Sequence, residues 1–108
     1  MGVIVQKYGG TSVANLDRIQ NVARRAVRTH RQGHDVVVIV SAMAGVTDGL
    51  IGLAKKVNEN PDKRELDALL ATGEQTTAAL LAMMLRSMGH PAQSLMGFQV
   101  EVRTDFCY

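Results

Sequence analysis

Val36-Val37-Val38-Ile39-Val40 is five apolar residues in a row, with no polar residue alternating between them. An unbroken apolar run of that length predicts a strand buried on both faces, as in a parallel sheet covered by helices. Upstream, Val3-Ile4-Val5-Gln6-Lys7-Tyr8 is a second short stretch of strand-forming residues, and it stops at Gly9-Gly10, a turn signal. Between the two runs, Leu16, Ile19, Ala23, Ala26 and Val27 recur at helical spacing. Asn15 suits the N-cap, Asp17 the first turn, and Gly33 the stop after Arg28 and Arg31. Strand, helix and strand within the first forty residues predict a βαβ unit.

Further along, Ser41-Ala42-Met43-Ala44-Gly45 reads as a loop of small residues at the carboxyl end of the second strand. Val46, Leu50, Leu53, Ala54 and Val57 mark a helix ending near Asn60-Pro61. Leu66, Leu69 and Leu70 predict another helical segment, interrupted at Thr72-Gly73-Glu74-Gln75. A fourth carries Leu81, Met84, Leu85 and Met88 as far as Gly89. After a turn at His90-Pro91, residues 92–96 read as a strand, and Phe98, Val100 and Val102 alternate like a strand or ribbon edge. The expected class is α/β, a three-layer αβα sandwich with a mostly parallel sheet. Three or four strands would leave much apolar surface uncovered, so the domain is expected to be incomplete.

Composition narrows the function classes. The chain has 108 residues, 46% hydrophobic and 20% charged, which fits ordinary globular material. Its net charge of +2 is a small excess, and Arg18, Arg24, Arg25, Arg28 and Arg31 all fall on one predicted helix. That placement favours a solvated helix face over a nucleic-acid surface. A lone cysteine, Cys107, excludes an internal disulfide. No run of about 18 apolar residues suggests a bilayer span, and Met1-Gly2-Val3-Ile4 lacks a secretory signal's features, so no membrane partner and a cytoplasmic location are expected. His30, His34 and His90 lack metal-ligand spacing, so no metal site is predicted, and Met83, Met84, Met88 and Met96 read as core filling.

Ligands of such sheets gather at the carboxyl ends of the strands. Two loops fall there: Lys7-Tyr8-Gly9-Gly10-Thr11-Ser12 and Ser41-Ala42-Met43-Ala44-Gly45-Val46-Thr47-Asp48. The first combines a cation, two glycines and two hydroxyls leading into a helix, which suits an anion held by backbone amides. It is not a P-loop or a dinucleotide fingerprint, because neither spacing of glycines occurs in the chain. A tight connection serves equally well as an explanation of Gly9-Gly10. Ser41 and Thr47 would equally serve as helix caps, and Glu74 as a first-turn carboxylate.

Val5-Gln6-Lys7-Tyr8-Gly9-Gly10-Thr11-Ser12-Val13 resembles the opening signature of aspartate kinases, within the amino-acid kinase superfamily. The stretch Ser41 through Asp48 resembles that family's second motif and Thr72-Gly73-Glu74-Gln75 its third, while Arg103-Thr104-Asp105 matches a further segment. The resemblance implies ATP-dependent phosphorylation of the L-aspartate β-carboxylate to 4-phospho-L-aspartate, towards lysine, threonine and methionine. It implies ATP as co-substrate, Mg²⁺ carried by the nucleotide, and a homo-oligomer in the full-length protein. By the same resemblance, Lys7 contacts the transferring phosphate as the catalytic cation, with Tyr8, Gly9, Gly10 and Ser41 around the nucleotide phosphates. Gly45, Val46, Thr47, Asp48 and Gly49 shape the aspartate pocket, and Glu74 meets the substrate's amino group. The second half of the catalytic domain and the regulatory ACT domains are not in this sequence, so the chain alone is expected to be inactive.

Two other classes stand beside that expectation. One is a non-catalytic anion-binding or assembly module built on the same βαβ unit. The other is a hydrolase, since Gly10-Thr11-Ser12-Val13-Ala14 nearly matches a nucleophile elbow, but its last position is Ala and no His–acid pair is evidently placed for Ser12.

Overall fold

The computed structural model of the chain describes residues 2–95. The elements are β1 (Val3–Tyr8), a short 3-10 turn (Gly10–Val13), α1 (Leu16–Arg31), β2 (Asp35–Val40), α2 (Val46–Val57) and α3 (Lys63–Ser87). The predicted strand segments among residues 96–102, and the Arg103-Thr104-Asp105 segment, lie outside the described residues.

β1 and β2 pair in parallel, with Val3 opposite Asp35 and Tyr8 opposite Val40, so the βαβ unit is as the sequence predicts. Successive side chains alternate between the two faces. Tyr8, Val38 and Val40 lie on the face that meets the helices, where they join Val13, Ile19, Val22, Ala23 and Leu81 in the core. Each large aliphatic side chain taken fully out of water there contributes about 1.5–3 kcal/mol. The other face carries Val3, Val5, Val37 and Ile39, which remain 64%, 59%, 48% and 48% exposed. The expectation of burial on both faces of β2 is therefore met on one face only among the described residues. The two described strands have α1 and α3 on that one side.

α1 starts where the sequence places it: the Arg18 backbone N–H donates to Asn15 Oδ1 at 3.0 Å. It stops at Gly33, whose φ of 96° is left-handed and whose N–H donates to the His30 carbonyl at 2.9 Å. Of its predicted apolar stripe, Ile19, Ala23, Ala26 and Val27 are buried and Val22 joins them, whereas Leu16 at the first position is 55% exposed; the five arginines are exposed. α2 ends at Val57, slightly before Asn60-Pro61, and Asp62 then caps α3 by accepting from the Glu65 N–H at 3.0 Å.

Met83 and Met88, expected as core filling, are instead 65% and 37% exposed. Two expectations about secondary structure also fail. Thr72-Gly73-Glu74-Gln75 does not interrupt a helix, because α3 is one continuous helix of 25 residues. A mid-helix glycine reads as a break on local preference, but here Gly73 is buried against α2, and packing overrides the preference. Residues 92–95 form no strand ladder. The Arg86 Nε–H instead donates to the Ala92 carbonyl at 2.7 Å, anchoring that segment to the end of α3. By length and a mean hydropathy of 1.2 over 18 residues, α3 also reaches the range of a membrane-crossing helix. Within the described fold it packs against α1, α2 and β2.

Candidate active site

Parallel pairing brings the carboxyl ends of β1 and β2 side by side, and with them the loops that follow each strand. Backbone hydrogen bonds join the loops directly. The Ser41 N–H donates to the Tyr8 carbonyl at 3.3 Å, and the Ala44 N–H to the Ala14 carbonyl at 3.3 Å. Gly10 lies under this junction, where a Cβ would stand 3.8 Å from the Ala42 carbonyl oxygen.

The third segment is drawn in by Gly73. A Cβ there would stand 3.0 Å from both Ala42 Cβ and Val46 Cγ1 and 3.7 Å from Leu50 Cδ1. Only a residue without a side chain lets α3 approach the Ser41–Gly45 loop and α2 so closely. Thr77, fully buried one turn on, donates its hydroxyl to the Gly73 carbonyl at 3.2 Å. The three segments singled out in the sequence are thus parts of one packed unit. Sequence reasoning missed the role of Gly73. Its signal was a glycine in an otherwise strong helical pattern, and its partners are about thirty residues away.

Lys7 is exposed at the end of β1, on the uncovered face of the sheet. Gly9 and Gly10 follow it, both exposed, and the Ser12 N–H closes the turn onto the Gly9 carbonyl at 3.1 Å. Tyr8 points the other way: its hydroxyl donates to Gln6 Oε1 at 3.0 Å, and Gln6 Nε2 donates to Thr29 Oγ1 on α1 at 2.9 Å. That chain fixes the end of β1 against α1 and commits the Tyr8 side chain to the covered side.

Gly45, with φ of 79°, turns the chain into α2. It is the N-cap residue, and among the described residues no side chain caps the helix, so neither Ser41 nor Thr47 plays the capping role that the sequence allowed. Of the first four α2 amides, Val46 N–H donates to the Met43 carbonyl at 3.2 Å and Gly49 N–H to the Gly45 carbonyl at 3.0 Å. Among the described residues the Thr47 and Asp48 amides have no such partner. Two open amides at the positive end of a helix dipole are suited to a carboxylate or phosphate. Thr47, Asp48 and Gly49 are exposed around them, while Val46 is half-buried against Gly73.

Glu74 follows Gly73 in the middle of α3 and is exposed, so it is not a first-turn carboxylate. It lines a cavity of about 780 Å³ along the edge of β2 that has no strand partner among the described residues, beside Gln75 and Val38. Lys7, Ser41 and Thr47 do not line that cavity. Glu74 therefore stands between the loops, against which Gly73 packs, and that edge of β2. Among the described residues no three His, Cys, Asp or Glu side chains come close enough to hold a metal ion.

Known proteins give this arrangement a family. The model of the amino acid kinase family matches residues 2–105. Aspartokinase 2 of Bacillus subtilis (strain 168) is 53% identical over 105 residues, which is 97% of this chain and 26% of the relative. The aspartokinase of Thermus thermophilus is 51% identical over 108 residues, all of this chain and 27% of the relative. The crystal structure of aspartate kinase from Synechocystis superposes with a TM-score of 0.83 at 49% identity, covering 88% of this chain and 16% of that one. The chain spans about a quarter of the length of the curated relatives it matches, and the similarity is to the N-terminal region of aspartokinases. With its loops joined at the strand ends and its sequence matched over nearly its whole length, the chain belongs to the amino acid kinase family.

Proposed function

We propose that this chain forms one wall of an aspartate kinase active site, which phosphorylates the β-carboxylate of L-aspartate with ATP. The observation that carries the proposal is the packing of all three motif segments on one another, through the Ser41–Tyr8 hydrogen bond and the close approach at Gly73. A β-carboxylate oxygen forms a bond to the γ-phosphorus, and the bond from that phosphorus to the ADP oxygen breaks, its electron pair leaving with ADP. The product is 4-phospho-L-aspartate. The attacking carboxylate is already ionised at neutral pH, so no general base is needed. The protein has to hold two anions in line and neutralise the charge spread over the phosphoryl oxygens.

Lys7 supplies the cation at that point, and the Gly9–Gly10 turn lets phosphate oxygens approach the backbone. Ser41 lines the junction between nucleotide and substrate. Gly45 and the open amides of Thr47 and Asp48 receive a substrate carboxylate, while Gly49 leaves room beside them. Glu74 attracts the substrate's amino group. Mg²⁺ travels with the nucleotide phosphates, and no step here depends on a protein ligand for it. The whole enzyme acts in the cytoplasm on a small-molecule substrate, as a homo-oligomer.

The test is an acyl-phosphate trap with hydroxylamine, ATP, Mg²⁺ and aspartate. It is run on this chain and on a polypeptide extended to the length of an aspartokinase. Hydroxamate is expected from the extended protein, falling about 100-fold or more with Lys7→Ala, and none from the 108 residues alone. Hydroxamate from neither would mean that the site holds another substrate, with glutamate the next to try.

A further inference from the structure

The end of α1 remote from Gly9 and Gly10 carries a second concentration of charge. Arg24, Arg28 and Arg31 line a groove of about 480 Å³, closed on its other side by Met88 and His90. Spacings of four and three residues put the three arginines on one face of α1, spread over about 10 Å of helix axis. Among the described residues no carboxylate lines the groove. The one side-chain hydrogen bond from these guanidinium groups among the described residues runs from Arg24 Nη1 to the neutral Asn21 Oδ1, a long 3.5 Å.

The dipole of α1 accounts for basic residues in its last turn, where Arg28 and Arg31 lie. It does not account for Arg24, which lies before that turn, nor for the concavity. His90 is held in position by its own backbone: its N–H donates to the Leu85 carbonyl at 3.0 Å, after Gly89 adopts a left-handed φ of 85°. Its ring also meets His30 edge to face, with centroids 6.3 Å apart.

From this geometry we infer that the groove binds a di- or triphosphate chain, at a site separate from the one that carries Lys7. Planar guanidinium forks match phosphate oxygens in pairs, which a single ammonium does not. A volume of this size falls within the range of about 300–1,000 Å³ typical of small-ligand sites. Val27 and Met88 give the groove an apolar part, against which the base of a nucleotide could rest. Inorganic polyphosphate and nucleoside phosphates share the recognised chemistry.

The experiment is an NMR titration of the chain with sodium tripolyphosphate at low salt, followed at the backbone amides and arginine side chains. Shifts are expected at Arg24, Arg28, Arg31 and His90, with affinity falling at least about tenfold in the Arg24→Gln/Arg28→Gln/Arg31→Gln variant. Glutamine is a good helix former, so α1 should persist, and Arg28→Gln alone carries the same test if the triple variant loses its helix. Lys7→Ala should leave this binding unchanged, which separates the groove from the proposed kinase site. ATP binding as tripolyphosphate does would mean that the phosphate chain alone is read; tighter ATP binding with shifts at Val27 and Met88 would identify a nucleotide. Equal binding by wild type and the arginine variants, shifts confined to the loop after Lys7, or no binding at all would overturn the inference.

Discussion

Replacing Gly73 by alanine would place a methyl carbon 3.0 Å from Ala42 Cβ and Val46 Cγ1, where unstrained carbons sit about 3.5–4.0 Å apart. Two effects then oppose each other. In a helix interior alanine is favoured over glycine by roughly 0.5–1 kcal/mol. Forcing an extra methyl into a packed contact costs about 1–3 kcal/mol. The neighbours here are a side-chain methyl of the Ser41–Gly45 loop and a β-branched residue in the first turn of α2, and neither yields by rotating away. The overpacking therefore wins, and a net loss of about 1 kcal/mol is expected, equivalent to a fall in Tm of about 4–8 °C for a domain of this size. Gly52→Ala supplies the contrast. Gly52 also lies in a helix, but nothing stands within 4 Å of its missing Cβ. It should gain roughly 0.5–1 kcal/mol. Urea unfolding of the wild type and both variants, followed by far-UV circular dichroism, measures all three. If Gly73→Ala proves as stabilising as Gly52→Ala, the close approach of α3 to the loop is wrong, and with it the argument that gathers the three segments.

Other substitutions test other parts of the fold. Ile19 is fully buried in the core, so Ile19→Ala should cost about 2–5 kcal/mol in the same assay, while Ile19→Val should cost about 0.5–1.5 kcal/mol. Asn15→Ala removes the acceptor for the Arg18 N–H and should destabilise by about 1 kcal/mol, with Asn15→Asp restoring most of it. Gly45→Ala puts a side chain on a residue with φ of 79°. A loss of about 1–2 kcal/mol is expected, seen as a lower urea midpoint, although no atom blocks the new methyl.

The parts of the fold legible in the sequence are those set by local pattern. Val36 to Val40 announced a strand, Asn15 a cap, Gly33 a stop, and the apolar stripe from Ile19 to Val27 a helix, and the structure has each of them. What stayed hidden depended on contacts distant in sequence. Gly73 looks like a break because its reason for being glycine lies at Ala42 and Val46. Residues 92–95 join no ladder among the described residues: Ala92, Gln93 and Ser94 carry little strand preference of their own, and a ladder needs a neighbour as well. For the site, the glycines and the lysine of the first loop were visible as a pattern. The open amides of Thr47 and Asp48 were not, since a backbone group left unpaired has no mark in the amino-acid alphabet.

The ties between the two loops, Ser41 to Tyr8 and Ala44 to Ala14, run from main chain to main chain. No substitution other than proline deletes such a bond, because every other residue carries the same amide and carbonyl. At positions 41 and 44 these ties are therefore indifferent to the side chain, unlike the contacts made at Gly73 and the turn at Gly45. Positions 41 and 44 can be varied for the sake of the ligand without loosening the frame that holds them. A relative with a different acceptor could change its preference there by ordinary point mutation, keeping the loop geometry it inherited.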